Sequence, residues 1–219
     1  MRLIDRWVGI PLCFFASFWP LKKAQADSNS TLATNNTHPD TIVFIGIAEI
    51  GALVVAYPAI KETRKQHPKS RICFITAPAG VQTLELMGFE KEDIFLLETS
   101  SIKSLLKGIV NIRSHFKGGR VSAIVLEPFT RFSTLLSAWI GASKRIGCYR
   151  FLNEGVYLGN ILTHRLVYNP HLHMSQTYFA LAKALIEPDS AKPLLKEHIP
   201  SQIKNRLKIN IPEKERQTL

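Results

Sequence analysis

The chain is poor in acid. Asp and Glu number 17 against 28 Lys and Arg, a formal net charge of +11 with a pI near 9.7, which favours anionic partners: phosphorylated lipid or glycan, nucleotide, nucleic acid. The basic residues come in short scattered groups, Lys22-Lys23, Arg64-Lys65 and Lys204-Asn205-Arg206 among them, with no RNA-binding signature and no zinc-finger spacing, so nucleic acid is not the expected partner. Cysteine is scarce as well. Cys13, Cys73 and Cys148 are odd in number, far apart and set among apolar neighbours, with no C-x-x-C pair. That excludes a disulfide framework and a dithiol motif, and reads as buried free thiols in a reducing compartment. No G-x-G-x-x-G occurs, which removes the main support for a nicotinamide dinucleotide site. The apolar stretch from Trp7 to Trp19 is too short to span a bilayer.

What is present is enough for one good core: 46% hydrophobic and 21% charged residues place the chain among globular proteins. Residues 1–23 read as a membrane-interface anchor or a signal-like leader. Trp7 and Trp19 suit the headgroup region and Arg2, Arg6, Lys22 and Lys23 suit anionic lipid. Ala24-Gln25-Ala26 imitates a signal-peptidase site, whereas Asp5, Pro11 and Lys22-Lys23 oppose export. Residues 24–40 are polar and aperiodic, a flexible linker. Between 41 and 187, short apolar runs at 41–47, 71–77, 93–99 and 121–127 alternate with helical periods, and "KRIGCYR" is a fifth strand. The helical rows are Leu53, Ala56, Tyr57, Ile60; then Ile102, Leu105, Leu106, Ile109; then Phe132, Leu135, Leu136, Trp139; and, after a long loop over 151–172, Tyr178, Leu181, Ala182, Leu185. This alternation predicts an α/β fold, a Rossmann-like parallel sheet with helices on both faces. Residues 188–219 are basic and Pro-punctuated, a linker or the truncated start of a second domain.

Open parallel sheets bind ligands at the carboxyl ends of their strands. After the first strand stands Gly46-Ile47-Ala48-Glu49-Ile50-Gly51, whose G-x-x-x-x-G spacing imitates a phosphate loop. Ala52 and Leu53, however, replace the Lys and hydroxyl that a phosphate loop needs. Glu49 can accept a proton from a substrate hydroxyl or simply complement the dipole of the following helix. Gly51, lacking a Cβ, is read as allowing a sharp turn and close approach of a ligand. Glu127, at the end of the 121–127 strand, should face the same sheet edge, either sharing in the site or pairing with Arg131. Arg131, Lys144 and Arg145 are candidates for phosphate or sugar contacts, though the latter two read more simply as solvated charges at a helix end. His164, His171 and His173 lie in "THRLVYNPHLHMSQ" without a nearby acid or cysteine to complete a metal site. They are read as hydrogen-bonding a polar ligand or backbone.

These segments resemble glycosyltransferase family 9, the heptosyltransferases of lipopolysaccharide assembly. The resemblance is carried by "IGALVVAYPAI", with a Gly and then a Pro ahead of the first helix, by "RFSTLLSAWIGASKRIGCYR" and by "LTHRLVYNPHLHMSQ". It covers about residues 41–187. It implies the N-terminal half of a B-type glycosyltransferase, the acceptor side of a two-domain cleft whose other domain binds a nucleotide-sugar donor. It also implies inverting displacement onto a glycan or lipid-linked acceptor with no obligatory metal or cofactor, at an anionic membrane surface on the cytoplasmic side. In that family an Asp directly follows the turn glycine as the base. Here that position is Ala52, which leaves Glu49 as the local substitute, with Gly51, Glu127, Arg131, His171 and His173 as substrate-binding candidates. The chain ends where the donor domain is expected, so a non-catalytic sugar- or partner-binding module, or an inactive fragment, stays open beside the enzyme.

Overall fold

The computed structural model describes residues 9–18, 39–128, 130–149 and 156–187. The expected leader falls partly outside them, at 1–8 and 19–23, as do most of the linker and all of 188–219. Six parallel strands form one sheet: β1 Thr41–Ile45, β2 Arg71–Thr76, β3 Ile94–Leu96, β4 Val121–Val125, β5 Lys144–Cys148 and β6 His164–Leu166. Their spatial order is β3-β2-β1-β4-β5-β6, so the chain winds outward from β1 in one direction and then in the other. The switch lies between β1 and β4, where Ile45 stands opposite Val125. β1 and β4 are buried almost throughout, which is why they read as continuous apolar runs and not as alternating ones.

Alternate residues of each strand feed two cores. Ile42, Phe44, Phe74 and Ile124 pack beneath α2 (Ile50–Gln66), α3 (Val81–Leu86) and α6 (Met174–Lys183). Val43, Ile45, Cys73 and Val125 pack beneath α4 (Ile102–His115) and α5 (Arg131–Trp139). A short helix, α1 (Gly9–Phe18), lies against α5. Ser101 caps α4 by accepting a hydrogen bond from Ser104 N at 3.1 Å, an ordinary N-terminal signal. Asp40 ties the start of the sheet together: its carboxylate accepts from Arg120 N at 2.9 Å and from the guanidinium at 3.1 Å. Those bonds hold the Asp40 carboxyl below its usual range.

Four details depart from the sequence reading. Pro58 lies inside α2, not ahead of it. In α4 the expected row is split: Ile102 and Leu106 are exposed, while Leu105 and Ile109 pack on the core together with Ile112. Trp139, expected on the packed face of α5, is also exposed. Within the expected long loop lies a strand, β6, too short and too polar to show a period.

Candidate functional site

Because β1 and β4 are adjacent and in register, the turns that leave them meet. Glu127 bridges that meeting. Its Oε1 accepts from Ile47 N at 2.8 Å and from Ala48 N, and its Oε2 accepts from Ser133 Oγ on α5. Charge-assisted bonds to backbone amides are among the stronger ones, so Glu127 fixes the β1–α2 turn and ties it to α5. The alternative of a pairing with Arg131 is not what occupies these oxygens. Arg131 is buried and donates Nε to the Tyr157 carbonyl at 3.2 Å, holding the segment before β6 against α5.

The turn that Glu127 holds presents Glu49. This residue is extended (φ −133°, ψ 118°), occupies the N-cap of α2, and makes no side-chain bond to that helix. Its side chain is exposed at the switch point, where open α/β sheets take their ligands. Of the two acids, then, one is consumed in positioning and the other is available. Gly51 sits in the first turn of α2 with a negative φ, and a Cβ there would meet nothing within 4 Å. The sharp turn therefore does not depend on it; what it leaves is open space beside Glu49. Ala52 packs against the core beneath α2.

On α6, Tyr178 belongs to the core, as its helical row predicts. It is buried, and burial first of all pushes its phenol up, with the neighbouring ionisable groups Cys148, Glu49, Glu127 and Tyr168 adding to the shift.

The histidines separate. His173 is the N-cap of α6: its Nδ1 accepts from Ser175 N at 3.2 Å, and its own N–H donates to Gln176 Oε1 at 3.1 Å, a reciprocal capping box. His171 is exposed and its N–H donates to Asn169 Oδ1 at 3.0 Å in the turn before α6. His164 is fully buried in β6, with Nδ1 2.8 Å from Thr163 Oγ1 and Nε2 2.9 Å from the Glu187 carbonyl. Among the described residues no three of His, Cys, Asp and Glu gather as a metal site. Lys144 and Arg145, read as solvated or ligand-facing charges, belong to β5. Lys144 Nζ donates to the carbonyls of Leu185 and Glu187, and the buried Arg145 donates Nε to Ile161 O at 2.5 Å and Nη1 to Ala142 O. The three cysteines are buried free thiols.

The switch point therefore offers an exposed carboxylate on a backbone turn held by a second carboxylate. A solved glycosyl transferase family 9 protein from Veillonella parvula matches this architecture with a TM-score of 0.57 and 17% identity over 82% of this chain and 47% of its own. The fold is shared with family 9 glycosyltransferases. E. coli ADP-heptose LPS heptosyltransferase II matches with a TM-score of 0.55 and 18% identity over 81% of this chain and 49% of its own. E. coli heptosyltransferase WaaC, solved with ADP-2-deoxy-2-fluoro heptose, gives 0.55 and 9% over 74% and 52%. The chain spans about half the length of each of these three proteins. No family model and no curated protein sequence matches it.

Proposed function

We propose that this domain is the acceptor side of a heptosyltransferase-like glycosyltransferase working with a second Rossmann-like domain that binds a nucleotide-sugar donor. The acceptor is a glycan or lipid-linked glycan, and the protein lies peripherally on the cytoplasmic side of the inner membrane. Among the described residues no helix is long and apolar enough to cross a membrane. Glu49 takes the proton of an acceptor hydroxyl. The oxygen then attacks the anomeric carbon, the bond from that carbon to the diphosphate breaks, and the nucleotide leaves with the electron pair, inverting the sugar. Gly51 leaves room for the acceptor, Glu127 holds the turn, and Arg131, His171 and His173 shape the segments that border the site.

The observation that carries the reading is that Glu49 stands exposed at the sheet's switch point without serving as a cap for its own helix. The test is calorimetric titration of the chain with ADP- and UDP-sugars, alone and with a donor-binding Rossmann-like domain, followed by a transfer assay. Transfer that needs the second domain and drops about a hundredfold or more in Glu49→Ala is expected, the scale of a lost general base. Transfer unaffected by Glu49→Ala would overturn the assignment of the base.

A second reading, a sugar- or partner-binding module that transfers nothing, is favoured by Ala52, which is packed on the core where the resembling family places its Asp. It predicts glycan binding with no transfer under any pairing.

A further inference from the structure

We infer that the layer made by α1, α4 and α5 is a docking surface for an anionic phospholipid bilayer. The inference extends the peripheral-membrane part of the proposed function and is independent of sugar transfer. α4 and α5 lie on one side of the sheet, over the core of Val43, Ile45 and Val125, and α1 packs on α5.

The outward side of α4 is not the polar face of an ordinary surface helix. Ile102, Leu106 and Val110 recur at intervals of four and are 75%, 57% and 61% exposed. Lys103 and Lys107 run beside them, equally exposed. Positions i, i+3, i+4 and i+7 share a helix face, so Lys103, Leu106, Lys107 and Val110 form a single stripe, about 10 Å long at 1.5 Å per residue. Arg113 continues it. Its guanidinium lies 5.0 Å from the centre of the exposed Trp139 ring at the end of α5, placing an amphipathic aromatic next to a cation as membrane interfaces favour. On α1, Phe14, Phe15 and Phe18 are exposed and touch edge to face, while Cys13 is buried and Ser17 Oγ accepts from Asn160 N at 3.1 Å, anchoring the opposite side of the helix to the domain.

Charge decides the occupant. α1, α4 and α5 contain no Asp or Glu, and between Glu98 and Glu154 the one acid is Glu127, already engaged at the sheet edge. Two copies meeting through this layer would bring Lys103, Lys107 and Arg113 against their own kind. A nucleic acid would leave the Ile102, Leu106 and Val110 stripe unused. A bilayer of anionic lipid meets both features, phosphates against the lysines and acyl chains against the apolar stripe.

The test is co-sedimentation of the full chain with vesicles of phosphatidylcholine containing about 30% phosphatidylglycerol, a content that gives the surface a negative potential. One variant combines Ile102→Ser, Leu106→Ser and Val110→Ser, and another combines Lys103→Glu and Lys107→Glu; unchanged unfolding midpoints verify the fold of each. The native chain is expected to bind, to bind pure phosphatidylcholine about tenfold more weakly, and to lose affinity as salt shortens the screening length. Each variant is expected to lose about tenfold or more. Native binding with both variants unaffected would overturn this face while leaving membrane attachment standing. Absence of native binding, or a dimer that the variants dissociate without any vesicle binding, would overturn the inference and membrane attachment together. A transfer assay with soluble acceptor is indifferent to all these outcomes.

Discussion

Glu127 and Glu49 stand on neighbouring strand ends and have opposite energetic positions. Replacing Glu127 with Ala leaves the amides of Ile47 and Ala48 and the Ser133 hydroxyl without their acceptor. Hydrogen bonds to charged groups contribute about 1.5–3 kcal/mol each and are not additive, so Glu127→Ala is expected to cost about 2–4 kcal/mol, read as a lowered denaturation midpoint. Glu49→Ala removes an exposed side chain that does not cap its helix and is expected to stay within about 1 kcal/mol of the native protein. The pair thus separates a positioning carboxylate from an available one: equal destabilisation by both would contradict this division. The difference was not legible in the sequence. Both acids are visible at strand ends, but the backbone partners of Glu127 lie 79 and 80 residues away along the chain, and only strand register brings them to it.

At the scale of elements, two attachments can be tested. α1 rests on Gly159, whose φ of +56° suits glycine and where a Cβ would lie 1.9 Å from Ser17 Oγ and 2.9 Å from Cys13 O. Gly159→Ala is therefore expected to release α1 at a cost of about 1 kcal/mol or more, seen as new protease cleavage within residues 9–18; continued protection would mean that the helix is held elsewhere. His173→Ala removes the side-chain half of the capping box and is expected to cost about 1 kcal/mol, measured as a shifted urea midpoint with an unchanged slope. The elements differ in how far the chain announced them. β1, β2 and β4 are apolar because both faces are buried, and α2 and α6 carry one apolar row each, so pattern sufficed. α4 carries apolar residues on two sides, and its period fitted Ile102, Leu105, Leu106 and Ile109 as readily as the packed Leu105, Ile109 and Ile112. β6 reads His164-Arg165-Leu166; it pairs by backbone alone, for which composition leaves no trace.

Taken whole, the molecule has a net charge of +11, so raising the pH towards the lysine range should relieve self-repulsion and stabilise the fold. Two buried groups act in the opposite sense. Burial pushes the Cys73 thiol up to about 12 from an ordinary 9.0, and it pushes the Tyr178 phenol up as well. Both are neutral in the folded state where the unfolded chain has begun to ionise them. Above about pH 9 the unfolded state therefore binds fewer protons than the folded one, and stability falls as pH rises. The contribution is complete below about pH 9 and, for the thiol, is lost progressively up to about pH 12. Urea midpoints taken at about pH 8 and about pH 10.5 are expected to fall in the native protein, to fall less in Cys73→Ala, and least when Tyr178→Phe is added. A rise with pH in the native protein would mean that charge relief across the surface outweighs the two groups. A native fall that neither variant reduces would place the alkaline sensitivity elsewhere in the fold.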